Sequence, residues 1–259
     1  MNFYTKEHLF YCGVDLHTRS MYICVLDRSG QIVLHRNLPT EPKRFLDAIA
    51  PFRQDIVVCA ECMFSWYWLA DLCAKESIPF VLGHALYMRA IHGGKAKNDK
   101  IDSKKIAFIL RGGNFPIAYV YPRKMRATRD LLRRRMYLMR RRAAILVHIE
   151  NTNSQYNMLP FGRRITYKSN RTGVAEEFTD PTVRKSIQAN LELIDHYDRI
   201  IRDLERHILR NAKIHDPNAF YLLSAVHGIG DILAQRLGRA AYYMLLRQKA
   251  FGSEKFLRT

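Results

Sequence analysis

Acidic residues are scarce in this chain of 259 residues: 24 Asp and Glu stand against 42 Lys and Arg, leaving a net charge of +18. A surface of that sign disfavours cationic partners and attracts polyanions. Cysteine is also sparse. The five present are odd in number and irregularly placed, which argues against a disulfide framework or structural zinc and fits a reducing cytosol. Apolar runs are short, Ile56–Cys59 being typical, and none approaches the ~20 residues of a membrane helix. The opening MNFYTKEHLF lacks the charged-then-apolar order of a secretion signal. The expectation is a cytoplasmic protein without a membrane partner. Hydrophobic residues still make up 48 %, enough for a buried core and too many for a disordered chain.

The excess charge is one-sided. Up to Asp102 there are 12 basic and 11 acidic residues; after it there are 30 and 13. The densest stretch carries Arg123, Lys124, Arg126, Arg129, Arg133, Arg134, Arg135, Arg140, Arg141 and Arg142, opposed by Asp130. A solvated helix face is the plain reading. The sparse acids favour contact with phosphates, whose neutralisation releases counterions.

The first part alternates strand and helix signals. Leu9–Leu16, Tyr22–Leu26 and Gln31–Arg36 read as three strands joined by short links, an antiparallel meander. A helix is expected over Glu41–Pro51, strands at Asp55–Ala60 and Ile78–Gly83, and an aromatic-rich helix over Phe64–Lys75. The order β-β-β-α-β-α-β is the layout of a ribonuclease-H-like α/β fold. A loop at Gly93–Asn98 precedes a helix from about Asp102 to Leu110, and Gly112, Gly113, Pro116 and Pro122 read as a linker. Two long helices follow, roughly Lys124–Tyr156 and Val183–Ala212, each with an apolar stripe at steps of three and four: Leu132, Met136, Met139, Ala143 and Leu146, then Ile187, Ile194, Tyr197, Ile201, Leu204 and Ile208. Such stripes, joined by the polar Pro160–Pro181, pair most simply as an antiparallel, coiled-coil-like hairpin. The expected domains are 1–115, 116–215 and 216–259. In the last, His227-Gly228-Ile229-Gly230 reads either as a plain glycine turn or as a backbone-amide cradle for phosphate.

Charged residues sit awkwardly at strand ends. Asp15 lies in Cys12-Gly13-Val14-Asp15-Leu16, and Glu61 closes Val57-Val58-Cys59-Ala60-Glu61. A carboxylate in such surroundings is costly unless paired or metal-bound. Asp99 and Asp102 stand at a loop-to-helix junction with i,i+3 spacing, either as helix caps or as two ligands on one side of a helix start. In the ribonuclease-H layout the four converge, and an acidic cluster of that kind takes hard cations such as a pair of Mg²⁺ ions. His17, two residues past Asp15, reads either as a neighbour of the metals or as structural, the commoner role of a lone histidine; Trp66 and Trp68 read either as stacking on bases or as packing their helix on the sheet, the commoner role. Ser65 reads as a helix-start residue and Ser103 as an exposed one.

The segments GVDLHTRSMYICVLDRSGQIV, VVCAECMFSWYWLADLC and KAKNDKIDSKKIAFILRGGNFP resemble the RuvC-like DEDD transposases of bacterial insertion sequences, the family that contains the Piv pilin-gene invertase. The resemblance is dense from Phe10 to Pro122. It implies that Asp15, Glu61, Asp99 and Asp102 are the DEDD carboxylates, catalytic and binding two Mg²⁺ ions for which Mn²⁺ can substitute. It implies a coiled-coil hairpin that forms a dimer or tetramer, and DNA together with a structured guide RNA as partners. Lys97, Lys100, Lys104, Lys105, Arg126, Arg129, Arg133, Arg134, Arg140, Arg141, Gly228 and Gly230 are the expected nucleic-acid contacts. SAVHGIGDILA resembles the start of the family's C-terminal domain. After Gln235 the sequence passes at once to GRAAYYMLLRQKAF, which resembles that domain's far end. An internal deletion near Gln235–Gly238 is inferred, removing the serine-bearing segment and impairing the enzyme. Two alternatives stand beside this reading: a junction-cleaving nuclease that uses water, and a non-catalytic nucleic-acid-binding remnant.

Overall fold

The computed structural model describes residues 2–92, 98–215 and 217–234. The chain divides into two compact units, Met1–Lys124 and Met125–Thr259.

The first unit is built on a seven-stranded sheet. Its strands are β1 (Phe3–Tyr4), β2 (Phe10–Leu16), β3 (Ser20–Asp27), β4 (Ile32–Pro39), β5 (Ile56–Glu61), β6 (Phe80–Gly83) and β7 (Phe115–Ala118). Their spatial order is β1-β7-β6-β5-β2-β3-β4. β2, β3 and β4 form the expected antiparallel meander, while β5 and β6 run parallel to β2. This is a ribonuclease-H-like sheet with two short strands added beyond β6. Alternation along the central strands divides the core in two. Cys12, Val14, Ile23, Val25, Val58 and Ala60 pack with Phe45 and Ile49 of α1 (Pro42–Ile49) and with Leu69 and Cys73 of α2 (Trp66–Lys75). Tyr11, Cys24, Leu26, Val57 and Cys59 pack with Met88 of α3 (Ala85–His92) and with Ile106, Ala107 and Leu110 of α4 (Asp99–Arg111).

Two sequence expectations change here. The stretch expected as a linker after Gly113 contains β7, which pairs antiparallel with β6 and with β1. Phe115 is fully buried, and Pro116 is tolerated because β7 lies near the sheet's edge. Ser103, expected to be exposed, is completely buried. The reason is Gly13: a Cβ there would fall under 3.0 Å from both Ser103 O and Ala107 N, so α4 lies directly on the β2 backbone and only small residues fit between them. The cysteines are all free. Cys59 and Cys62 have CxxC spacing, yet Cys59 is sealed in the sheet, where burial pushes its thiol well up.

The second unit is helical, with α5 (Arg123–Gln155), α6 (Pro181–His215) and α7 (Pro217–Ser224). Ile187, Ile194, Ile201 and Ile208 recur every seven residues along α6 and are all buried. Arg135 meets Glu205 at 2.5 Å and Arg142 meets Asp198 at 2.5 Å. A step of seven up α5 is thus matched by a step of seven down α6, which makes the pair antiparallel. The connecting segment is no loose loop, because Ile165, Val174, Ala175 and Phe178 join Leu146, Ile149, Ile187 and Ile194 in one core. Arg171, 6 % exposed, ties this plug down. It bonds Asp195, reaches Asp198 at 2.8 Å, and donates to the carbonyls of Ile165 and Thr166. The inferred junction near Gln235–Gly238 and the GRAAYYMLLRQKAF segment lie outside the described residues.

Two measurements test this packing. Gly13→Ala forces α4 off the sheet and is expected to cost about 1–3 kcal/mol, read as a lower thermal midpoint; an unchanged midpoint contradicts the close approach. Burial pushes the Asp198 carboxyl up, but its bonds from Arg142 and Arg171 outweigh this and hold it below the usual range. A carboxyl held low adds stability above its unfolded value of about 3.9, and that stability is lost as pH falls through the folded value. Asp198→Asn should therefore lose stability at neutral pH and less at low pH, measured by urea unfolding at several pH values.

Candidate active site

On β2 the residues Cys12, Val14 and Leu16 face α1 and α2, so Asp15 shares the other face with Tyr11 and Gly13, the side covered by α4. On β5 Val57 and Cys59 face α4, and Glu61 follows them on the same side. The parallel register pairs Val14 with Ala60. Asp15 and Glu61 therefore stand at the ends of adjacent strands on one face.

The third contribution is the start of α4. Asn98 caps this helix, its side chain accepting from the Lys100 backbone N–H at 3.0 Å. Capping by Asn98 leaves Asp99 and Asp102 in the first turn without that duty. The helix start is held against the sheet by His35 on β4, whose Nε2 lies 2.9 Å from the Lys100 carbonyl and 3.3 Å from the Ser103 hydroxyl. At the end of β2, the Ser65 hydroxyl donates to the Leu16 carbonyl at 3.0 Å, joining α2 to the same corner. Ser65 precedes α2 as expected, but its hydroxyl serves this link and does not cap the helix.

Asp15, His17 and Asp99 meet there, each offering a ligand atom within 4.8 Å of the others. His17 Nε2 is 3.3 Å from Asp15 Oδ2 and 3.5 Å from Asp99 Oδ1. Glu61 and Asp102 stand outside that tight group, although Asp102 is near enough to act on Asp15. Burial raises the Asp15 carboxyl above its ordinary value; His17 pulls it back, and Asp99 and Asp102 push it up again. His17 lies just past the end of β2, beside both Asp15 and Asp99, which favours its reading as a neighbour of the site over the structural one.

The donor set suits a hard divalent cation. Carboxylate oxygens dominate it, and the like charges that raise Asp15 are those a cation would relieve. Asp15, Asp99, Glu61 and Asp102 could hold the ion, with His17 beside Asp15 and Asp99. Cys62 is close in sequence but offers a soft thiolate that such ions do not favour.

The basic candidates divide by exposure. Arg133, Arg134, Arg140 and Arg141 are exposed on α5, with Arg134 and Arg141 lying 5.6 and 5.1 Å from the Tyr137 ring centroid. Arg126 is buried, and Arg129 pairs with Asp130 at 3.3 Å. Lys100 and Lys104 are exposed and Lys105 is half-buried on α4. Lys97 lies outside the described residues. Gly228 adopts φ +85°, and a Cβ on either Gly228 or Gly230 would meet open space, so this turn is accessible.

A raised carboxyl costs the folded chain stability as pH rises through its folded value. Asp15→Asn should therefore be neutral or stabilising without divalent ions. Millimolar Mn²⁺ should raise the thermal midpoint of the wild type and not that of Asp15→Asn. A variant that keeps the full Mn²⁺ shift contradicts the assignment.

No curated protein matches the chain. A family model described as transposase, for DEDD transposases of the IS110 type, matches residues 12–158. That span covers more than half of the 259 residues and takes in Asp15, Glu61, Asp99 and Asp102. The chain therefore belongs to the IS110-type DEDD transposase family, a family of enzymes that cut and join DNA.

Proposed function

We propose that this transposase cuts DNA strands at the corner where β2, β5 and α4 meet, with Asp15, Glu61, Asp99 and Asp102 holding two Mg²⁺ ions. The observation that carries this is the approach of Asp15 and Asp99, from elements far apart in sequence, to one ligand-sized group. Bound divalent ions would stabilise charge on the attacking and leaving oxygens of a phosphodiester. The chain's own residues do the placing. Gly13 lets α4 settle so that Asp99 and Asp102 reach the sheet. Lys100 and Lys104, exposed on that helix, meet the incoming phosphate. His17, touching both Asp15 and Asp99, orients these carboxylates and can carry a proton between them and solvent.

The second unit binds the nucleic acid. Arg133, Arg134, Arg140 and Arg141 present four guanidinium groups on one face of α5 around Tyr137, with the Gly228–Gly230 turn as a further phosphate contact. By the family resemblance the ligand includes a structured guide RNA as well as DNA, and the long helices pair two or four copies in a coiled coil. No serine stands in the family's nucleophile context, so strand joining is the weaker half of the reaction. A water-driven nuclease is the second reading, because four carboxylates with divalent ions suffice chemically for hydrolysis without a serine.

Cleavage of an insertion-sequence end, with guide RNA supplied, tests the site. Asp15→Asn and Asp102→Asn should each lose about a hundredfold or more in Mg²⁺-dependent cutting; activity surviving Asp15→Asn refutes the assignment. For the interface, replacing Arg133, Arg134, Arg140 and Arg141 with Gln should weaken binding. The log–log salt slope on duplex DNA should become shallower by about 0.9 for each phosphate that the variant no longer neutralises. An unchanged slope removes α5 from the interface.

A further inference from the structure

Tyr167 carries a large ring into solvent from a backbone that is tightly held. The Thr166 carbonyl before it accepts from Arg142 on α5 at 2.7 Å and from the buried Arg171 at 2.8 Å. The Tyr167 N–H donates to the Arg164 carbonyl at 3.2 Å, and its own carbonyl accepts from the Asn170 N–H at 3.0 Å. A single turn of 3-10 helix, Lys168–Asn170, starts from it. The ring is nevertheless 57 % exposed. An exposed ring adds little to the fold. A ring whose backbone is fixed in advance loses little freedom when a partner covers it.

The surroundings select that partner. The bond from Arg142 to Thr166 places Tyr167 beside the stretch of α5 that carries the exposed Arg140 and Arg141. The basic face of α5 thus continues onto the plug through Tyr167, Lys168 and Arg164. Arg164 is exposed, and Lys168 keeps a side chain 71 % exposed although it reaches Asp195 at 3.9 Å. From Tyr156 to Arg171 there are four basic residues and no acidic one. A second copy of the chain paired here about a twofold axis would set like charges against each other, so the surface fits a polyanion. An uninterrupted duplex would use the cations alone, because its bases are stacked on one another. The exposed ring among them suits an unpaired base, whose face is free to stack.

We propose that Tyr167 is a stacking platform for an unpaired base, with Arg164 and Lys168 on neighbouring phosphates, so that the second unit prefers looped or single strands to uninterrupted duplex. The proposal rests on the nucleic-acid reading above and deepens it, from contacts with the backbone alone to selection of strands whose bases are unpaired.

The test uses the full chain, an RNA stem–loop, and an RNA duplex with the same number of phosphates. The wild type should bind the stem–loop more tightly. Tyr167→Ala should lose about ten-fold on the stem–loop and leave duplex affinity unchanged. Tyr167→Phe keeps the ring and should keep the preference. The salt slope should not move in either variant, because the ring neutralises no phosphate. A DNA stem–loop of matching sequence offers the same kind of base face; Tyr167→Ala should weaken whichever stem–loop the wild type binds more tightly, and that one names the source. A preference that survives Tyr167→Ala, or a loss shared equally by stem–loop and duplex, overturns the proposal. Duplex binding that responds to the α5 arginines while the preference ignores Tyr167 sinks the proposal and leaves the basic face standing. Failure to bind any of the probes sinks both readings.

Discussion

The direct contact between α4 and the backbone of β2 sets the height of everything around the acidic corner. Gly13 has no Cβ, and Ser103 and Ala107 are the small residues that lie over it. A helix seated a side chain's width further out would carry Asp99 and Asp102 away from Asp15. The same seating lets His35 reach the Lys100 carbonyl from β4. Asn98 takes the capping role that would otherwise occupy an aspartate. Packing, capping and charge placement at this corner are therefore one arrangement.

Helical phase divides the arginines of α5 between two tasks. Arg135 and Arg142 are seven residues apart and turn toward α6, where Glu205 and Asp198 neutralise them. Arg133, Arg134, Arg140 and Arg141 lie on the exposed side with Tyr137. The inward pair contributes to the fold and the outward group supplies a positive face. A tally of charge along the sequence merges these two sets.

Much of the first unit was legible because its signals are local. Strand alternation, the short links of the meander and the apolar run through β5 mark the ribonuclease-H-like order without any tertiary information. Asp15 could be singled out because a carboxylate in an apolar strand has few inexpensive roles. What was hidden depends on contacts between distant segments. Ser103 looks solvent-facing until α4 is laid on Gly13. Phe115 and Pro116 look like a linker until a two-residue strand near the N-terminus pairs with them. His17 beside Asp15 is a local pairing, but the approach of Asp99 to both comes only with the fold. Arg126 is buried and Arg129 pairs with Asp130 although both belong to the same basic run, because burial along a helix is set by what packs against it.

The central claim is that carboxylates from separate elements of the sheet and α4 gather divalent cations. Anomalous diffraction from a crystal grown with Mn²⁺ tests it most directly. The account predicts anomalous density among Asp15, Glu61, Asp99 and Asp102. Density absent from that corner at saturating Mn²⁺, or an α4 displaced so that Asp99 lies out of reach of Asp15, would contradict it.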